Sequence, residues 1–253
     1  MNNDQFEAKM RQAEYFHELR LVPGAWVVIR VDGRGFSRFT EKHFQKPCDE
    51  RFRDYMLQTA QVLLEELTGL YVYTESDEIS ILIKPNWNLF DRGWEKAVSI
   101  SAGIASAAFT HACGKVAHFD SRVWLGVNED AVVDYFRWRQ SDAQRCALNG
   151  WCYWTLRNTG VNVRQATKRI EKLSVAAKQE LLLEYGITFN ELPAWQRQGV
   201  GLYWEEYEKE GYNPQTDETV KVLRRRVKVD WELPVQQDYK NLLLNFMRAS
   251  NLV

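Results

Sequence analysis

Two apolar runs, Tyr71-Val72-Tyr73-Thr74 and Ile79-Ser80-Ile81-Leu82-Ile83, flank the polar stretch Glu75-Ser76-Asp77-Glu78. β-branched and aromatic residues dominate both runs, so the pattern predicts a β-hairpin with acids at its tip. Upstream, Trp26-Val27-Val28-Ile29-Arg30-Val31 reads as a strand almost without polar interruption. It runs directly into Asp32-Gly33-Arg34-Gly35. Between these strands, Phe52, Met56, Ala60, Leu63 and Leu67 recur at helical spacing, which predicts a helix opening near Lys46-Pro47-Cys48-Asp49 and ending before Gly69.

The remaining pattern is mostly helical. Phe6, Met10, Ala13 and Phe16 fall on one face of a helix predicted over Phe6 to Leu19. After a polar connection, Lys84 to Arg92, a helix of small residues runs from Gly93 to Ala112. Arg122 to Val127 is a further strand. In the second half, Asn128-Glu129-Asp130 caps a helix carrying Tyr135, Phe136 and Trp138, and a separate helix spans about Asp142 to Leu156. Val163–Lys172, Ser174–Tyr185 and Val235–Arg248 read as helices, and Gly199–Tyr207 and Val220–Val229 as two late strands.

The order strand, helix, hairpin, helix, strand predicts an α+β fold. Its first part is a polymerase-like palm, a ferredoxin-like antiparallel sheet with two helices on one face. Residues 1–140 would form the palm. Residues 141–253 would form a mainly helical region with two late strands, packed on the palm as one compact unit.

Chemistry enters at the strand ends. Asp32 closes one buried strand and Asp77 sits at the hairpin tip, the carboxylate pair expected of a two-metal phosphoryl-transfer site; Glu78 is a supporting acid beside them. Gly33 and Gly35 let the backbone approach a ligand, and the N–H groups between them could cradle a phosphate. Arg38 breaks the match to a dinucleotide-binding glycine motif, and there is no Walker A sequence. Lys46 lies just before a predicted helix N-terminus, where an anion is favoured.

Composition narrows the class. With 253 residues, 45% of them hydrophobic and 26% charged, the chain is long enough for a sizeable core. No apolar run reaches membrane-spanning length, and Met1-Asn2-Asn3-Asp4-Gln5 has no secretory signature. Cys48, Cys113, Cys146 and Cys152 form no metal-binding spacing, so reduced thiols in a cytoplasmic protein are the expectation. The net charge of −1 gives no global signal for nucleic acid, so an RNA-binding face has to be local. Arg224, Arg225 and Arg226, with Lys221 and Lys228, concentrate positive charge on the second late strand.

The assembled pieces resemble the tRNA-histidine guanylyltransferase family, whose members add nucleotides in the 3′-to-5′ direction. They are Arg30-Val31-Asp32-Gly33-Arg34, Phe39, Glu41-Lys42-His43, Lys46-Pro47, Ser76-Asp77-Glu78, Phe119-Asp120-Ser121-Arg122, Trp138-Arg139-Gln140-Ser141-Asp142 and Asn190-Glu191-Leu192-Pro193. They occur in family order over roughly positions 26 to 200. The resemblance implies two Mg2+ ions held by Asp32, Asp77 and the Gly33 carbonyl. It implies a nucleoside triphosphate, GTP or another, contacted by Gly33, Arg34, Gly35, Phe36, Ser37 and Ser76. It implies ATP-dependent activation of a tRNA 5′ end by Lys46, with Arg92 as a ligand for the second triphosphate or the RNA 5′ end. Family members are commonly tetramers, which implies a homo-oligomer.

Three departures stand out. The span from Asp32 to Lys46 is one residue shorter than in eukaryotic members. Thr74-Glu75 replaces Gly-Gln before Ser-Asp-Glu. Gln144-Arg145-Cys146-Ala147-Leu148-Asn149-Gly150 stands where histidine-dedicated members carry His-Ile-Asn-Asn-Leu-Tyr-Asn. The last departure favours the guanylyltransferase-like branch, which repairs 5′-truncated tRNAs by templated addition. The alternative is a dedicated tRNA-histidine guanylyltransferase adding a single G. Further off stand a cyclase-like palm that makes a cyclic dinucleotide and a non-catalytic palm that binds RNA.

Overall fold

The computed structural model describes residues 3–213 and 218–249. In chain order the elements are α1 (Asn3–Arg11), β1 (Trp26–Gly33), α2 (Phe36–His43), α3 (Glu50–Glu66), β2 (Tyr71–Glu75), β3 (Glu78–Ile83), α4 (Trp94–Cys113), β4 (Phe119–Gly126) and α5 (Glu129–Asn158). There follow α6 (Val163–Ile170), α7 (Val175–Leu183), α8 (Trp195–Gln198), β5 (Val200–Asn213), β6 (Glu218–Asp230) and α9 (Gln236–Ala249).

The six strands form one antiparallel sheet in the order β4-β1-β3-β2-β5-β6. The first four strands have the ferredoxin-like order, and the β5–β6 hairpin extends the sheet from the β2 edge. β1 lies between β4 and β3, and Val27, Val28 and Ile29 are all fully buried. A strand covered on both faces needs no polar alternation, which accounts for its unbroken apolar run.

The two faces bury different partners. Val27, Ile29, Val31, Val72, Ile79 and Ile81 pack against Met56, Ala60, Leu63 and Leu67 on the α3 side and Ala97, Ala105 and Phe109 of α4. Trp26, Val28, Tyr71, Tyr73 and Leu82 meet Val132, Val133 and Phe136 of α5 and Tyr239, Leu243 and Met247 of α9. The palm thus carries its own two helices on one face, and the second half supplies α5 and α9 to the other. A third cluster gathers α6 and α7 around the C-terminal end of α5, through Leu148, Cys152, Leu156, Ala166, Leu181 and Leu182.

Several elements differ from the sequence expectation. α1 ends at Arg11 and buries none of its residues; Phe6, Met10 and Phe16 remain exposed. The segment 32–39 is not all loop, because α2 begins at Phe36. The helix expected from Lys46 starts only at Glu50. The two helices expected over 128–156 are one 30-residue helix, so a boundary between 140 and 141 would cut α5. The late strands are longer than predicted; beyond Tyr203, β5 pairs with β6 alone and projects past the sheet.

Candidate active site

The hairpin register places Asp32 on β1 opposite both Glu78 on β3 and Asp120 on β4. Three acids therefore lie in a row across β4, β1 and β3. Two residues along, Arg30 and Arg122 stand opposite each other. Like charges in direct cross-strand register repel, and the arginine row offsets this: Arg30 approaches Glu78 at 3.7 Å and Arg122 bonds Asp120 at 3.0 Å.

Asp77 reaches the same place through the turn. β2 ends at Glu75 and β3 begins at Glu78, leaving Ser76-Asp77 as a two-residue tip. Ser76 takes φ 48°, a left-handed conformation that favours glycine. Strain of this kind is commonly held at functional sites. The Ser76 hydroxyl donates to Asp77 Oδ1 at 3.1 Å, and the Gly33 N–H donates to the Asp77 carbonyl at 3.0 Å, so the tip is tied to β1.

The acids perturb one another. Burial and then the Asp32 charge push the Asp77 carboxyl up to about 6. Burial, followed by the Asp120 charge, raises Asp32. Glu75, desolvated and facing Glu78, is pushed up to about 8. Desolvated acids that repel one another favour a cation among them. Among the described residues no three His, Cys, Asp or Glu side chains form a closed metal cage. Magnesium is commonly bound through one or two carboxylates together with substrate phosphates and water. Asp32, Asp77 and the Gly33 carbonyl fit such an open set.

Glu78 has a different place. Both of its oxygens accept from Arg139 on α5, at 2.7 Å from Nε and 2.7 Å from Nη2. Arg139 also bonds Asp142 at 3.2 Å and stacks 4.6 Å from the Trp138 ring. Glu78 is thus a positioning residue that fastens the hairpin to α5, rather than a free catalytic acid. Arg30, Trp138, Arg139 and Asp142 join Asp32, Asp77 and Glu78 around a cleft of about 360 Å³. Sequence reasoning gave these four no role. Arg139 lies 61 residues from Glu78, and its only signal was membership of the Trp-Arg-Gln-Ser-Asp block.

The phosphate-cradling stretch starts beside the acids. A Cβ on Gly33 would fall 2.4 Å from the Phe36 ring, so only glycine lets α2 fold back over β1. Gly35 has φ 73° and turns the chain into α2. α2 therefore begins four residues after Asp32, and its first N–H groups, Phe36 and Ser37 among them, have no partner within the helix, as at the start of any α-helix.

A second cavity of about 270 Å³ adjoins the cleft and shares Glu75, Ser76 and Cys146 with it. Lys46 lines this cavity rather than the cleft. Its ammonium bonds the Thr40 hydroxyl and lies 5.7 Å from the Trp154 ring. Burial lowers the Lys46 pKa, and the Asp77 charge opposes that. The α3 N-terminus is not open to a ligand, because the Asp49 carboxylate accepts from the Arg51 N–H at 2.9 Å and caps it. The expected anion site beside Lys46 is thereby corrected.

Two further expectations are displaced. Arg92 lies by the start of β1, about 20 Å from Asp32 at 3.3 Å per residue. Its guanidinium donates to the carbonyls of Leu21, Pro85, Trp87 and Val22 at 2.7–3.1 Å. With its donors taken by the backbone it is a structural staple, not a triphosphate ligand. Arg92→Ala is expected to lower unfolding free energy by roughly 2–3 kcal/mol and to leave nucleotide KM unchanged, as denaturant melts and initial rates would read. Arg224, Arg225 and Arg226 lie on the projecting arm, opposite Tyr207, Glu206 and Glu205, past the end of β2 furthest from the Ser76-Asp77 tip. Arg226 is paired to Glu205 at 2.7 Å, and Arg225 stacks 4.8 Å from Trp204.

Comparison with known proteins agrees with this geometry. Residues 7–127 match the family described as tRNAHis guanylyltransferase, and residues 130–242 match its Thg1 C terminal domain. The chain belongs to the tRNA-histidine guanylyltransferase family. It is a nucleotidyltransferase. The probable tRNA(His) guanylyltransferase of Mus musculus is 32% identical over 201 residues, 74% of this chain and 67% of that protein. The tRNA(His) guanylyltransferase of Schizosaccharomyces pombe is 32% identical over 209 residues, 75% of this chain and 80% of its own. Among solved structures, a bacterial tRNA(His) guanylyltransferase-like protein in complex with GTP superposes with TM-score 0.72 at 27% identity, covering 96% of this chain and 99% of that one. By name, these relatives support the single-G reading more than templated repair.

Proposed function

We propose that the protein adds a guanylate to the 5′ end of histidine tRNA, after ATP has activated the terminal phosphate. The observation that supports this reading is the half-buried pair Asp32 and Asp77 beside a cavity of nucleotide size, in a chain whose named relatives are tRNA(His) guanylyltransferases. In the first step the RNA 5′-monophosphate attacks the α-phosphate of ATP, and pyrophosphate leaves. In the second, the 3′-hydroxyl of GTP attacks the adenylylated 5′-phosphate and AMP leaves. Asp32, Asp77 and the Gly33 carbonyl would hold two Mg2+ ions, whose chemistry is to acidify the attacking hydroxyl and neutralise the leaving phosphate. Gly33 to Ser37 would orient the triphosphate through backbone N–H groups. Ser76 borders both chambers and would contact the nucleotide between them. Lys46 would balance phosphate charge from the second cavity.

A second reading, templated repair of truncated tRNAs, is favoured by one observation. Cys146, Ala147 and Gly150 from the departing run line the second cavity. A thiol, a methyl and a bare backbone offer little to read a base with, and pairing to a template could then do the selecting. The deciding test supplies all four nucleoside triphosphates to histidine tRNA lacking its extra G and to other tRNAs missing their first nucleotide. One untemplated G on histidine tRNA alone supports the first reading; addition that follows the opposite base on any tRNA supports the second.

Lys46→Ala is expected to slow addition to 5′-monophosphate RNA at least tenfold more than addition to 5′-triphosphate RNA, which needs no adenylylation. A factor of ten corresponds to about 1.4 kcal/mol, within the range of a single charge-assisted contact. Equal loss on both substrates would assign Lys46 to the common transfer step.

A further inference from the structure

The surface flanking the acid row on its β4 side carries cations with no acidic partners. Arg34 follows Gly33, and its N–H donates to the His118 carbonyl at 2.8 Å, joining the β1–α2 turn to the turn between α4 and β4. Arg38 and Lys42 stand one turn apart on α2, about 6 Å from each other. Lys115 lies on the α4–β4 turn, and its charge and that of Lys42 both act on His43, whose pKa is lowered first by burial and then by them. Arg34, Arg38, Lys42 and Lys115 are all exposed, and none forms an ion pair among the described residues. Of the nearby acids, Asp120 is held by Arg122 at 3.0 Å, and only Glu41 shares the α2 surface.

The arm presents the opposite case. Arg226 and Lys228 share Glu205 at 2.7 and 3.3 Å, and Lys221 is paired with Glu208 at 3.1 Å. Cross-strand pairing thus engages Lys221, Arg226 and Lys228, and Arg225 stacks on Trp204.

We propose that the Arg34–Arg38–Lys42–Lys115 surface docks the phosphodiester backbone of the RNA whose 5′ end enters the cleft. The inference rests on the function proposed above and names the surface that would serve it. Unpaired cations spread over an exposed face, rather than converging in a pocket, suit a line of phosphates. In a chain of net charge −1, such a local field is what would steer a polyanion to one side of the molecule. The register continues this face into the catalytic row: Gly33 pairs with Phe119, and Asp32 with Asp120. A backbone held by Arg38 and Lys42 would lead along α2 toward Gly33 and Asp32.

The test measures binding of fluorescent 5′-monophosphate tRNA to the full chain between 50 and 200 mM salt. Arg34 is left intact because it also borders the nucleotide. Each of Arg38→Ala, Lys42→Ala and Lys115→Ala is expected to reduce the slope of log affinity against log salt by about 1, and the triple variant by about 3. Melting temperature and binding of a non-hydrolysable ATP analogue should stay at wild-type values. Arg224→Ala combined with Arg226→Ala should leave the slope unchanged. A wild-type slope in the triple variant, or loss confined to the arm variant, overturns the inference while wild-type nucleotide addition keeps the function standing. A wild-type protein that binds ATP but no tRNA overturns both.

Discussion

Asp77→Asn is expected to reduce nucleotide addition by on the order of a thousandfold while making the fold more stable at neutral pH. The rate loss follows from removing a ligand for charge in the transition state. The stability gain follows from the raised pKa. The Asp77 carboxyl titrates at about 6 in the folded chain, against 3.8 for an unperturbed aspartate. The folded state thus holds the proton more tightly than the unfolded state, and ionisation works against folding. Below about pH 4 the wild type and Asp77→Asn should be nearly equal in this respect. As pH rises through 6 the wild type loses the difference, which reaches roughly 2–3 kcal/mol at about 1.4 kcal/mol per unit. Thermal melts in chelator at pH 4, 6 and 8 check this. Equal melting temperatures at pH 8, or near-wild-type turnover, would remove Asp77 from the acid cluster. Asp32→Asn should show the same loss of rate.

Arg139→Met should cost about 3 kcal/mol of stability and most of the activity, because it leaves the buried Glu78 with only the longer 3.7 Å ion pair to Arg30. The Arg139 and Glu78 side chains are 7% and 10% exposed, so water replaces the lost bonds only in part. If the damage comes from the stranded charge, adding Glu78→Gln should recover a large part of the stability. Activity should recover less, since the amide cannot restore the two-point clasp on the tip that carries Asp77. Urea melts of both single variants and the double variant close the cycle. A double variant no more stable than Arg139→Met would show that Arg139 acts through other contacts.

How far these roles were legible in the sequence varies by element. The Tyr71–Ile83 hairpin and the Trp26 strand were legible because their apolar runs are local and their polar ends abrupt. α2 was hidden by Gly33 and Gly35, which read as loop residues although they turn the chain into a helix whose Phe36 must cover Gly33. α5 looked like two helices because Arg139, Gln140 and Asp142 interrupt its apolar pattern. In the fold these residues have distant partners, Glu78 and the Pro234 carbonyl among them, so the helix continues. α1 shows the reverse: its stripe is amphipathic, but a stripe cannot say whether a surface exists to receive it.

The sequence alone determined the sheet's central strands, the pair Asp32 and Asp77 at their ends, and the family, because each rests on short runs whose meaning does not depend on distant residues. The tertiary structure decided which charges are free. Arg92, Glu78 and Arg226 look alike on paper to Arg38 or Asp77. Only the fold shows that backbone carbonyls, Arg139 and Glu205 have already claimed them. Electrostatic interaction depends on separation in space and on desolvation, and neither is written in the order of residues.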